Sequence, residues 1–179
     1  MRIIGGKYKG KRFNPPRNNP ARPTTDFAKE SLFNILANYF NFDAVSYLDL
    51  FGGTGSLSFE MASRGCRDIT LVEWFQPNVR FIRDTAQQMD MPIQVIRGDV
   101  YRFLETCPRQ FDLIFAGPPY ADKKLDQLPN IVLENKLLTD IGWFILEHSP
   151  RHDFRQHPNC RMHRHYGQTN FSIFTYETH

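Results

Sequence analysis

Cysteine is scarce in this 179-residue chain and scattered: Cys66, Cys107 and Cys160 stand far apart, with no C-x-x-C pair among them. That spacing excludes a disulfide framework, a zinc ribbon and a dithiol redox centre, and free thiols fit a reducing compartment. Long hydrophobic runs are lacking too. No window approaches the length of a membrane span, and residues 1–13 have no apolar core of a secretory signal, so a cytoplasmic protein with no membrane partner is expected. Internal repeats and low-complexity tracts are missing, which sets aside solenoids and disordered arrays. Acid is absent from the opening: Arg2, Lys7, Lys9, Lys11, Arg12, Arg17 and Arg22 all precede Asp26, the first carboxylate. A one-signed arm of this kind attracts phosphate backbones by counterion release, the footprint of a nucleic-acid partner.

What is present is the composition of one packed domain, with 41% hydrophobic residues and 16 Phe. The length allows a single core and is too short for two. Residues 2–13 carry turns at Gly5-Gly6 and Gly10 and predict a small basic β-hairpin; residues 14–23 are a Pro/Asn-rich connector. Two regions follow, an arm and connector over 1–21 and a main domain over 22–179. Thr24-Thr25 offers hydroxyl caps to a helix in which Ala28, Leu32, Ile35, Leu36 and Tyr39 recur at helical spacing, ending near Asn41. Short apolar segments at 47–51, 69–73, 93–97, 111–116 and 143–147 then alternate with amphipathic stretches at 57–64, 77–89, 101–106 and within 126–136. This is the pattern of an α/β protein with a mostly parallel sheet. Segments 161–166 and 171–176 flank the turn Gly167-Gln168 and predict a closing antiparallel hairpin.

The first strand runs through Asp49, Leu50 and Phe51 into Gly52-Gly53-Thr54-Gly55-Ser56 and directly into a helix. Glycines let the backbone approach a ligand, and the helix N-terminus offers free N–H groups. Glu73 closes the second strand, where a carboxylate can accept both hydroxyls of a ribose. Asp99 follows the third strand, placed to accept from an adenine amino group, with Val100 as an apolar wall. The fourth strand runs into Gly117-Pro118-Pro119-Tyr120, a stiff loop whose carbonyls have no proline N–H to compete for them and whose Tyr120 ring can stack on a flat base. A dinucleotide oxidoreductase shares the glycine loop but not the last two stations. An adenine-N6 DNA methyltransferase shares the Pro-Pro-aromatic loop, yet no separate DNA-reading domain fits the length. Cys160, His163 and His165 lack a fourth ligand at metal spacing, so no metal is expected. Glu147-His148 reads as a strand end, since no Ser or Cys nucleophile motif accompanies it.

In order along the chain, Arg2-Ile3-Ile4-Gly5-Gly6, Arg22-Pro23-Thr24-Thr25, Glu30-Ser31-Leu32-Phe33-Asn34, the 48–56 loop, Glu73, Gly98-Asp99, Pro118-Pro119-Tyr120 and Tyr166-Gly167-Gln168-Thr169 form an ordered set. With these motifs the chain resembles the RsmD family of 16S rRNA (guanine-N2)-methyltransferases. The resemblance implies a Rossmann-like S-adenosyl-L-methionine (SAM)-dependent methyltransferase fold with a seven-stranded sheet. It implies methyl transfer to the exocyclic N2 of a guanine in 16S rRNA on the assembled or assembling small subunit, by a monomer. Thr24, Thr25 and the Gly52, Gly53 and Gly55 loop with Asp49 and Phe51 would hold the methionine side of SAM, Glu73 the ribose, and Asp99 with Val100 the adenine. Arg2, Lys7, Lys9, Lys11, Arg12 and Arg22 would grip rRNA. One position departs: the family pattern is Asp/Asn-Pro-Pro-Tyr/Phe, and Gly117 stands where the Asp or Asn belongs. The missing acceptor would pass to the Pro118 carbonyl or to Asp122, and restoring Asp at 117 is expected to speed the chemical step. A methyltransferase-like RNA-binding protein with weak catalysis is the rival reading.

Overall fold

Alternation along strand β1 (Ser46–Leu50) sets the two faces of the sheet, because successive side chains point to opposite sides. Tyr47 packs on the side covered by α1 (Asp26–Ala37) and α2 (Ser56–Ser63), while Leu48 and Leu50 pack on the side of α4 (Val100–Thr106) and α5 (Leu128–Glu134). Helix α3 (Gln76–Gln88) lies on the α2 side, where Val79, Ile82 and Ala86 meet Phe59 and Leu71. The computed structural model describes residues 1–177.

The remaining strands are β2 (Asp68–Glu73), β3 (Ile93–Arg97), β4 (Phe111–Ala116), β5 (Leu138–His148), β6 (Cys160–Tyr166) and β7 (Thr169–Phe174). All seven join in one sheet of order β3-β2-β1-β4-β5-β7-β6. The first five are parallel, β7 runs antiparallel to β5, and β6 pairs antiparallel with β7. The chain builds outward from β1 through β2 to β3, then returns to place β4 on the other side of β1. That reversal opens a crevice beyond the carboxyl ends of β1 and β4, where open α/β sheets hold ligands.

Helix α1 stops at Ala37, short of the predicted Asn41: the Asn38 N–H turns back to the Ile35 and Leu36 carbonyls. Tyr39, 52% exposed, lies with its ring centroid 4.7 Å from that of Trp143 instead of continuing the helix face. Strand β5 begins at Leu138 rather than 143, because the register slips between Phe111↔Leu138 and Leu113↔Trp143 and the polar Thr139-Asp140 pair is absorbed in the irregularity.

The N-terminal hairpin is reduced to a single antiparallel bridge, Arg2↔Arg12. Backbone bonds from Ile3 N to Lys11 O and from Gly10 N to Ile3 O support it. Docking on α2 holds it. The buried Glu60 carboxylate accepts from Ile4 N and Gly5 N, each at 2.9 Å, and Ser63 Oγ donates to Gly5 O at 2.6 Å. Gly6 has φ +80°, and a Cβ there would lie 2.1 Å from Ser63 O, so this close approach requires glycine.

Candidate active site

Where β1 ends, Phe51 takes φ 58° and turns the chain out of the sheet. Gly52 then passes so close to β2 that a Cβ would fall 2.4 Å from Leu71 Cγ, which only glycine avoids. The turn brings Gly53 N to 3.1 Å from Glu73 Oε1, and Phe75 N donates to Glu73 Oε2 at 3.0 Å. Asn78 Nδ2 adds a longer bond to Oε2 at 3.5 Å. Together these bonds orient the buried carboxylate and use about three of its roughly four lone-pair positions, which leaves one on Oε1 for a ligand. Burial pushes the Glu73 carboxyl up from its ordinary pKa, and the two backbone N–H groups pull against that shift.

Asp49, on the α2 side of β1, is buried and accepts from Ser58 Oγ at 2.6 Å. Burial pushes its carboxyl up to about 7, the Ser58 bond opposes the rise, and the nearby Glu73 charge adds to it. A carboxyl poised near neutrality is chemically responsive: an incoming cation would ionise it.

These groups form one end of a cavity of about 370 Å³. The other end is the loop after β4, Gly117 to Tyr120, together with Glu147 at the end of β5; the 20–24 connector crosses above. Glu147 is 2% exposed. Its Oε2 accepts from Arg22 Nη2 at 2.6 Å and from Tyr120 Oη at 3.4 Å, and its Oε1 accepts from Thr24 Oγ1 at 2.7 Å. The Arg22 guanidinium lies over the Tyr120 ring, 3.5 Å from its centroid. Burial, with the Glu147 charge beside it, raises the Tyr120 hydroxyl pKa.

Most of the predicted site therefore lies in one place: Thr24, Asp49, Phe51, Gly52, Gly53, Glu73 and all of Gly117, Pro118, Pro119 and Tyr120 line the cavity. Four predicted residues are not in its walls. Thr25 caps α1 by accepting from Ala28 N, and Gly55 occupies the left-handed N-cap of α2. Asp99 caps α4 by accepting from Arg102 N at 3.0 Å, and Val100 is buried against the core on the α4 side. Arg22, counted among the cationic residues that would grip rRNA, lines the cavity. Asp122 is engaged elsewhere, accepting from Tyr101 Oη at 3.0 Å and Lys124 N at 2.8 Å.

Glu147 and Trp74 line the cavity; sequence reasoning read the first only as a strand end and passed over the second. The signal for Glu147 was a carboxylate ending the apolar run Phe144-Ile145-Leu146, at the same sheet edge as Glu73. For Trp74 it was a large aromatic directly after Glu73, which the structure leaves 61% exposed at the rim. Among the described residues no group of three or more His, Cys, Asp or Glu side chains is placed to hold a metal ion. No described helix is long and apolar enough to cross a membrane.

A sheet of this order, with a buried carboxylate at the end of β2 and a Pro-Pro-Tyr loop after β4, defines an α/β protein of the Rossmann-like methyltransferase class. A solved structure of a hypothetical protein from Thermus thermophilus shares the whole fold, with a TM-score of 0.86 at 26% identity over 98% of this chain and 99% of that one. The family described as Conserved hypothetical protein 95 matches residues 1–175, and the chain belongs to that family, which includes RsmD and YlbH. Bacillus subtilis YlbH is 33% identical over 153 residues, 83% of this chain and 82% of the relative. Ribosomal RNA small subunit methyltransferase D of Escherichia coli K12 is 30% identical over 166 residues, 92% of this chain and 83% of the relative. The chain is thus a member of a methyltransferase family.

Proposed function

We propose that this protein transfers a methyl group from SAM to the exocyclic N2 of a guanine in 16S rRNA, on the assembled or assembling small ribosomal subunit in the cytoplasm. The observation that carries the reading is the single cavity in which a nucleoside-binding end and a base-binding end meet. At one end, the remaining acceptor position on Glu73 Oε1 suits a ribose hydroxyl, the exposed Trp74 ring suits one face of an adenine, and ionised Asp49 suits an ammonium group. SAM, which Glu73, Trp74 and Asp49 would hold, would supply there an electrophilic methyl group on its sulfonium.

The chain's own work is positioning. Tyr120 gives a stacking surface for the flipped base, and the Pro118-Pro119 pair stiffens the loop that carries it. Holding the reactants at near-attack distance would supply much of the rate. The exposed Lys7, Lys9, Lys11 and Arg12 suit rRNA phosphates, while Arg2 is paired with Asp26 at 2.8 Å.

Gly117 favours a second reading, an rRNA-binding protein of methyltransferase fold with slow chemistry, since no side chain there can accept from an amino group. Labelled methyl transfer from SAM to small subunits from cells lacking the enzyme, followed by mapping of the modified base, decides between them. Incorporation at one guanine N2 is expected; binding without incorporation would favour the second reading.

A further inference from the structure

We propose that the Glu147 carboxylate reads the target base as guanine, and that the Arg22 guanidinium occupies the base's place until it arrives. This rests on the guanine reading above. Three observations carry it. Glu147 is 2% exposed yet aimed into the cavity, at the end opposite Glu73 and Asp49. The pairing Ala116↔Leu146 places it beside Gly117, each being the next residue along the chain after that last pair. It is therefore the side-chain carboxylate nearest along the sheet to the position that lacks one, and Asp122 is already committed to Tyr101 and the Lys124 N–H.

The third observation is what occupies this end. Arg22 stacks its planar cation 3.5 Å from the Tyr120 centroid and donates an N–H to Glu147 Oε2 at 2.6 Å. A guanine presents the same two features. Its N1–H, C2 and N2–H₂ atoms form a guanidine unit with neighbouring N–H donors in the plane of a ring that stacks on an aromatic face. A base stacked on Tyr120 can put one of N1–H and N2–H onto Oε2, which now receives Arg22, and the other onto Oε1, which keeps its bond from Thr24 Oγ1. A carboxylate accepting from N2 also steers the amino lone pair out of conjugation, the service that a side chain at 117 would give.

Adenine fails this test. Its N1 is an acceptor and would face the carboxylate lone pairs, and a site built around hydrogen bonds rejects a base that cannot make them. Displacing Arg22 is feasible because its side chain is 44% exposed and sits on the connector. Released, its charge faces the incoming nucleic acid. Glu147 is then a residue that touches substrate, and Arg22 is a placeholder whose occupancy lowers the apparent affinity for the base.

The test uses the full chain saturated with S-adenosylhomocysteine, with guanosine and adenosine as probes and calorimetry as the readout. Arg22→Ala should bind guanosine about tenfold tighter than the unaltered chain, because no placeholder has to leave, with adenosine unchanged. Millimolar guanidinium ion should compete with guanosine in that variant. Glu147→Gln, added to Arg22→Ala or made alone, should weaken guanosine by about 10–100-fold, to the level of adenosine. Gln is near-isosteric and keeps an acceptor for Thr24, so it also carries the comparison if Arg22→Ala does not fold. Equal binding of the two nucleosides by Arg22→Ala, or a guanosine preference that survives Glu147→Gln, would overturn the proposal. Nucleoside preference needs no methyl transfer: an inert chain that prefers guanosine through Glu147 would sink the enzymatic reading and leave this one standing.

Discussion

Three residues of the cavity make separate demands. Glu73 is held by Gly53 N, Phe75 N and Asn78 Nδ2, and under the proposed function removing it costs ligand binding through a lost ribose bond. Glu73→Ala is expected to weaken SAM by about 1.5–3 kcal/mol in calorimetry, the range of hydrogen bonds to a charged group; unchanged affinity would take Glu73 out of the site. Asp49, pushed up to about 7 by burial, is partly protonated near neutrality before a ligand binds. An ammonium beside it favours the ionised form, so the linkage has a definite sign: affinity for SAM rises with pH towards about 7 and falls by up to about tenfold per unit below it. Titrations at pH 6 in buffers of different ionisation enthalpy should report proton release on binding, and Asp49→Asn should abolish that release. Gly117 is the third. A Cβ there would meet Phe115 Cε1 at 3.1 Å, and the backbone is not left-handed, so Gly117→Asp fits with a small shift of the ring. From the sequence alone this change should accelerate the chemical step, but Glu147 now stands on the adjacent strand. The expected single-turnover gain is therefore under about tenfold, whereas a gain of about 10²–10³, the scale of a restored catalytic hydrogen bond, would show that the acceptor was missing outright.

At the scale of elements, the strands and helices were legible because their periodicities are local, and the boundary errors fall where a long-range interaction takes over. Strand β5 is an instance: Thr139-Asp140 breaks the alternation, yet pairing with Phe111 extends the strand back to Leu138. Glu73 was legible because it follows a strand of ordinary pattern. Glu147 was not, since its meaning depends on Arg22 and Thr24, more than a hundred residues earlier. The docking of the arm was hidden for the same reason. Glu60 on α2 gathers Ile4 N, Gly5 N, Arg64 Nε at 2.8 Å and the buried Lys29 Nζ at 3.4 Å. Lys29 also donates to Arg2 O at 2.7 Å, and burial pulls its pKa down against the attraction of Glu60. Glu60→Gln leaves that ammonium buried without its counter-charge, so a loss of about 3–5 kcal/mol is expected in urea unfolding. The double change with Lys29→Met should recover part of the loss, because the stranded charge has gone. Equal losses in both variants would mean that Glu60 acts through the backbone of the arm alone.

For the molecule as a whole, this docking fixes where the positive charge stands. The net charge is only +3, but Lys7, Lys9, Lys11 and Arg12 are all exposed on one docked turn. That turn is tied to the cavity at its start, where Thr54 Oγ1, in the cavity wall, donates to Met1 Sδ at 3.3 Å. Under the proposed function, a basic patch docked beside the cavity sets the register of a nucleic acid without reading its sequence, since phosphate contacts position and base contacts specify. Changing the four residues to Gln touches neither the backbone bonds to Glu60 and Ser63 nor the Glu73 end of the cavity, so the fold and SAM affinity should persist. Binding to 16S rRNA should weaken, and the slope of log K against log salt should flatten by about 0.7–0.9 for each phosphate that loses its cationic partner. Filter binding across a salt series checks both quantities. A slope unchanged after all four substitutions would show that the patch faces solvent rather than rRNA.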